Sequence, residues 1–170
     1  MLHASIASRV AGRLENLKYW LASSSEISFS ELLTGPAVYI GALDNAWTMR
    51  LNNDLPFRFE ESADGRAGQI VSKDGKRSWS VDITTPHQRI QHDYGIVAKF
   101  HSSLTGEPAR IIAGISSQGT QAAGEVLTSP MVFKIAIGGV KDAENFELVV
   151  ETEAVDGKAG PPHVVAEETW

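Results

Sequence analysis

The chain has 170 residues, 42% of them hydrophobic and 21% charged, which fits one globular domain of ordinary size. It has no cysteine, so disulfides, thiolate metal sites and a thiol nucleophile are excluded, and the composition fits a reducing compartment. Fifteen Lys and Arg stand against 21 Asp and Glu, a net charge of −6, and the basic residues are scattered, so no nucleic-acid partner is expected.

No apolar run approaches the ~18–20 residues that a membrane helix needs. His3, Arg9, Arg13 and Glu15 make the first residues unlike a signal peptide. A soluble, cytoplasmic protein without membrane contact is the expectation.

Ile6, Val10, Leu14 and Leu17 share one helical stripe, which predicts an amphipathic helix over 4–17. Lys18 to Ala22 reads as a short strand. Ser28 and Glu31 have capping-box spacing, and the short helix they start is ended by Gly35-Pro36. Ala37 to Ala42 is a continuous apolar run, the pattern of a strand buried on both faces. Asp44 and Asn45 then stand where a helix cap belongs.

Between residues 56 and 84 the pattern becomes alternating, with hairpin turns at Asp64-Gly65 and Asp74-Gly75, and predicts an antiparallel meander. Lys73, Lys76 and Arg77 bracket the second turn and read as a solvated hairpin tip. Tyr94 to Phe100 and Arg110 to Ile115 are further strands around Thr105-Gly106. The segment 116–120 leads into a helix over 120–127, with Thr120 as its cap. Pro130 starts another helix that Gly138-Gly139 stops. Phe146 to Val155 and His163 to Thr169 predict a closing antiparallel pair, with Val149, Val155 and Val164 facing the core and Trp170 covering its end. The sum is a single α/β domain over 1–170, built on a mixed, partly parallel sheet with flanking helices and the meander in its middle. Residues 1–27 are expected to be an extension or the remainder of a longer protein.

Gly114 to Thr120 is the segment best suited to chemistry. A strand feeding a Gly- and Ser-rich loop into a helix start presents free N–H groups and a positive dipole end, which attract phosphates and carboxylates. Ser116, Ser117, Gly119 and Thr120 are the candidate ligand contacts, and capping of the turn is the plainer alternative. If strands 37–42 and 110–115 run parallel, their following loops share one sheet edge, and Asn45 would add an amide and Trp47 a flat ring. Core packing is the alternative for Trp47.

The nucleotide P-loop, the dinucleotide fingerprint and the nucleophile elbow all fail at this segment. A triad of Ser116, His163 and an acid can be drawn only on paper. No HxxxH, HxH or HExxH pair exists among His3, His87, His92, His101 and His163, and no metal or other cofactor is expected. His92-Asp93 could orient an imidazole, but such a pair is more often a surface contact. No carboxylate dyad is visible.

Several stretches taken together resemble an uncharacterised bacterial domain. They are Ser28 to Leu32, Pro36 to Leu51, Phe57 to Phe59, Asp93-Tyr94, Ala113 to Ile115, Gly119 to Glu125, Thr128 to Pro130, and Asp156 to Pro162 with the terminal Trp170. In that family the domain is similar to the C-terminal part of longer proteins whose front part is regulatory, a winged helix or a membrane segment. The motifs are specific to the family and to no activity. The family commonly has an aromatic and two asparagines where Leu43-Asp44-Asn45 stand, and Gly-Tyr where Ser117-Gln118 stand, which implies a different ligand for this member if that loop reads one.

Three functions follow as expectations. The first is a ligand-sensing or regulatory output domain without catalysis, taking a small anion-bearing molecule. The second is a hydrolase or transferase acting on a nucleotide-like or phosphorylated substrate at the same edge. The third is a protein–protein interaction module offering the C-terminal hairpin as an edge strand. Homo-oligomerisation stays open.

Overall fold

The structure, a computed structural model, describes residues 2–12, 19–140 and 143–170. Its strands in chain order are β1 (Ala37–Ile40), β2 (Phe57–Glu61), β3 (Ala67–Ser72), β4 (Ser78–Asp82), β5 (His92–His101), β6 (Pro108–Gly114), β7 (Phe146–Val155), β8 (Lys158–Ala159) and β9 (His163–Thr169). Its helices are α1 (Leu2–Ala11), α2 (Phe29–Leu32), α3 (Ala46–Leu51), α4 (Ser117–Thr128) and α5 (Pro130–Ala136).

Two sheets form. The larger runs β1-β6-β5-β7, and β7 pairs with both β9 and the short β8 on its far side. β1 and β6 are parallel, and the other pairs are antiparallel. The smaller is the meander β2-β3-β4, which is a separate antiparallel sheet and not part of the mixed one. Helices and a mixed sheet are present as the α/β reading requires, but strands carry more of the chain than it implied.

Alternation along the central strands sorts the core into two clusters. Ile96, Ala98 and Phe100 of β5 and Val149 of β7 pack toward Phe57, Phe59, Ile70 and Val81 of the small sheet. Val97, Leu148 and Val150 turn the other way, onto Ala122, Ala123 and Val126 of α4 and Ile6 of α1. The result is three layers, with helices on one face of the large sheet and the small sheet with α3 on the other.

Several local expectations hold. Glu31 Oε2 accepts from Ser28 N at 2.7 Å and from Ser28 Oγ at 2.6 Å, so the two capping residues do meet. Gly65, Gly75 and Gly106 have φ of +67°, +71° and +71°, the left-handed geometry their turns need.

Others are corrected. β1 lies on the edge of the sheet with Val38 37% exposed, so it is not buried on both faces; its apolar residues say nothing about having one neighbour instead of two. Residues 19–22 form no strand, and Tyr19, Trp20 and Leu21 are exposed. α1 ends at Ala11, and the rest of the expected helix at 13–17 lies outside the described residues. β7 and β9 pair as expected, with Val149 in the core, but Val155 is exposed where β7 pairs with the short β8, and Val164 is exposed on the edge strand β9. Trp170 meets Phe100 at a ring distance of 6.3 Å yet stays 45% exposed.

Candidate functional site

The parallel pairing of β1 and β6 sends both following loops to one edge of the sheet. There Asn45 is fully engaged as the cap of α3. Its Oδ1 accepts from Trp47 N at 3.0 Å and Thr48 N at 3.3 Å, and its Nδ2 donates to Ile40 O at 3.0 Å. Trp47 is buried in the core, stacked on Phe29 with Arg50 over its ring, and its Nε1 donates to Ser24 O. Both residues therefore serve the fold of their own loop.

α4 begins at Ser117, one turn earlier than the expected cap at Thr120, with Ser116 in the N-cap position. Thr120 is buried inside the helix, and its hydroxyl donates back to Ser116 O at 3.1 Å. The early start is possible because three glycines let the helix lie on the strand backbone. A Cβ on Gly95 of β5 would stand 2.5 Å from Gly119 O and 2.7 Å from Ala113 O. One on Gly114 would strike Thr120 N and Gly119, and one on Gly119 would strike Tyr94 O.

This close seat delivers the helix start onto Asp93, which is wholly buried. Asp93 Oδ1 accepts from Tyr94 N at 2.8 Å and Ser116 N at 3.2 Å. Oδ2 accepts from Gly119 N at 2.5 Å and lies 2.5 Å from Ser116 Oγ. An internal carboxyl thus occupies part of the anion-attracting helix end that the sequence singles out. Burial raises its pKa above the ordinary aspartate value, and the hydrogen bonds from Ser116, Gly119 and Tyr94 oppose that rise.

From Asp93 the contacts continue to the surface. Ser116 Oγ is 2.7 Å from Gln118 Oε1, and Gln118 Nε2 reaches His87 O at 3.0 Å and His87 Nδ1 at 3.2 Å. His87 Nε2 closes onto Ser117 Oγ. His87 comes from the exposed 3₁₀ turn His87–Arg89. Ser117 is half-buried, and among the described residues no hydrogen bond engages the backbone N–H of Ser117 or Gln118.

The structure brings Ser116, Ser117, Gly119 and Thr120 together in this cluster, while Asn45 and Trp47 are held in the α3 loop. Sequence reasoning missed Asp93, Gln118 and His87 as its members. His163 stands opposite Glu151 in the β7–β9 register while the Ser116 hydroxyl is engaged by Asp93 and Gln118, so among the described residues the triad drawn through His163 is not formed. His92 faces Glu151 at 3.6 Å, and its neighbour Asp93 turns to the opposite face of the sheet. Two surface depressions lie elsewhere. One of about 590 Å³ is lined by Arg9, Gln121, Glu125, Thr128 and Ser129. The other, of about 390 Å³, opens between the sheets beside Phe57, Arg77, Glu168 and Trp170.

No family model, no characterised protein and no solved structure matches this chain. Among the described residues no helix is long and apolar enough to cross a membrane.

Proposed function

We propose that the chain is a non-catalytic ligand-sensing or regulatory domain, and that a small anion-bearing molecule docks where α4 begins. The observation that carries this reading is the conjunction at that corner of two uncommitted amide N–H groups, Ser117 and Gln118, with the Ser117 hydroxyl and the His87 ring. Amides and dipole at a helix start favour negative charge. Burial disfavours the charged form of Asp93, and any loss of negative charge there leaves more of that dipole to a ligand. The net charge of −6 opposes a polyanion and leaves a small ligand held by local donors. The resemblance to the C-terminal domains of regulatory proteins supports the same role.

The Ser117–His87 pair is the observation favouring a hydrolase, since a base beside a hydroxyl is how a serine nucleophile is activated. The hydrogen bonding around it runs against that chemistry. An amide nitrogen only donates, so Gln118 Nε2 makes His87 Nδ1 an acceptor. In this arrangement the neutral ring carries its hydrogen on Nε2 and donates to Ser117, and among the described residues no carboxylate bonds the ring to support the imidazolium that a general base becomes.

A thermal-shift screen with inorganic phosphate, nucleotides, sugar phosphates and dicarboxylates tests the reading. A ligand at 100 times its Kd adds ~2.7 kcal/mol of stability. Stabilisation by at least one anion, lost in His87→Ala and Ser117→Ala, is the expected result. No shift with any of them, or a shift that both variants retain, removes the site.

A further inference from the structure

Ser116 Oγ has one hydrogen and two acceptors. Asp93 Oδ2 lies at 2.5 Å and Gln118 Oε1 at 2.7 Å. With Asp93 ionised, that hydrogen serves the carboxylate, and the contact with Gln118 Oε1 is left as two facing lone pairs. With Asp93 protonated, its own O–H donates to Ser116 Oγ, and the Ser116 hydrogen is released to Gln118 Oε1. The orientation of Gln118 with Nε2 on His87 O and Nδ1 is the one that the acid form satisfies, and Ser117 Oγ stands 3.3 Å from the same Oε1.

We propose that Asp93, Ser116, Gln118 and His87 form a proton-linked relay in which the ionisation of Asp93 decides which ring nitrogen of His87 carries hydrogen. In the acid form donation runs from Asp93 to Ser116, to Gln118 Oε1, from Gln118 Nε2 to His87 Nδ1, and from His87 Nε2–H to Ser117. When Asp93 releases its proton to solvent, Ser116 donates to the carboxylate instead. Gln118 turns its amide by half a rotation, Nε2 now donating to Ser116 Oγ and Oε1 facing His87 Nδ1. The ring answers by carrying its hydrogen on Nδ1, exchanged through solvent at the exposed His87, and Nε2 becomes an acceptor for the Ser117 hydroxyl. In this state the amide oxygen faces the His87 carbonyl oxygen where Nε2 donated before, two acceptors in place of a hydrogen bond, which biases the resting balance toward the acid form.

The surroundings leave Asp93 to its hydrogen bonds. Across the ladder from it stands Thr152 of β7, α4 presents Ser116, Gln118 and Gly119, and the β6 strand end at Gly114 carries no side chain. Glu153 of β7 and Lys158 of β8 flank this end of the sheet, and both are exposed. Tyr94 of β5 gives its hydroxyl to Glu151, and its phenol is pushed up by burial, by that bond and by both nearby carboxylates. Against His87 lies Gly157, whose Cβ would stand 3.4 Å from Nδ1, with Asp156 before it and Lys158 after it in the turn. Arg89 closes the 3₁₀ turn two residues on.

The relay goes beyond the ligand reading and is tested on the full chain without ligand, so the two can fail separately. Nitrogen-15 shifts of the His87 ring distinguish the tautomers, and they are recorded at pH 8, where an imidazole is largely neutral. Wild type is expected to carry hydrogen on Nδ1. Asp93→Asn, whose amide donates to Ser116 as the protonated acid does, is expected to keep it on Nε2. The same tautomer in both overturns the proposal. Ser116→Ala cuts the chain while leaving the carboxyl and the α4 amides in place, and covers the case in which the Asn variant does not fold. With Ser116→Ala the wild-type Nδ1–H preference should be lost, and its retention overturns the relay equally.

Discussion

Two carboxyl groups are buried in the large sheet, one on each face, and they are treated very differently. Asp93 of β5 faces α4, where both of its oxygens are engaged by Tyr94 N, Ser116 N, Ser116 Oγ and Gly119 N. Glu147 of β7 faces the small sheet, where Oε2 accepts only from Phe57 N at 2.7 Å and Oε1 has no partner. Burial raises both above their ordinary pKa, and it raises Glu147 well above, with the like charge of Glu168 adding to the rise. The contrast separates a buried acid that organises its surroundings from one that is merely tolerated. Asp93 holds the first turn of a helix against a strand. Glu147 ties a single amide of the small sheet to the large one.

The largest expected effect breaks the better-served acid. Asp93→Ala strands the Tyr94, Ser116 and Gly119 amides with no acceptor in a buried corner. Each unsatisfied buried group costs about 1–3 kcal/mol, so a loss of about 3 kcal/mol or more is expected. Urea denaturation measures it, and a midpoint close to wild type would show that water replaces the carboxyl. Gly114→Ala attacks the same corner from the strand side, because its Cβ meets the backbone of Gly119 and Thr120, which has no flexible end to move aside. About 2–3 kcal/mol of overpacking is expected from the same measurement, and no change would mean that α4 can shift off the strand freely.

Glu147→Gln should act in the opposite direction. A group whose folded pKa exceeds its unfolded value stabilises fully below the unfolded value and loses that contribution as pH rises through the folded one. For Glu147 the loss begins near its ordinary 4.5 and for Asp93 near 3.8, so wild-type stability should fall as pH rises above these values. Each such group contributes a slope of about 1.4 kcal/mol per pH unit over its window. Gln keeps an acceptor for Phe57 N and has no proton to take up. Its stability relative to wild type should therefore climb from pH 5 to pH 8. A constant difference between the two proteins across that range would show that Glu147 titrates as it does in the unfolded chain.

The sequence announces much of the scaffold on which these acids sit. Asn45, the Asp-Gly turns and Pro130 do their work within a few residues, so local patterns suffice to place them. The parallel pairing of β1 and β6 was conditional on topology, and the edge position of β1 was hidden because an apolar run does not record how many strands flank it. Thr120 looked like a cap because the contact that starts α4 earlier comes from Asp93, far away in the chain. The signal for both acids was present all the same. Asp93 shares a strand face with Gly95 and Val97, and Glu147 with Val149, so each is a carboxyl at an inward position of an otherwise apolar strand. Alternation marks such residues as buried, but it does not tell which amides will meet them.

The smallest expected effect sharpens the account of Glu147. Glu168 stands directly opposite it on β9, with Oε1 held by Arg77 Nη2 at 2.5 Å where the two sheets meet. That ion pair is roughly half-exposed, so losing it should cost no more than ~1 kcal/mol. Its influence on the buried neighbour is a separate matter, since a like charge nearby disfavours ionisation. In Glu168→Gln that charge is gone, and Glu147 should release its proton at lower pH than in wild type. The infrared band of the protonated carboxyl reports this directly, once its disappearance in Glu147→Gln has assigned it. A band that fades at the same pH with and without Glu168 would leave burial as the whole cause, and Arg77 would then be screening Glu168 completely from the acid behind it.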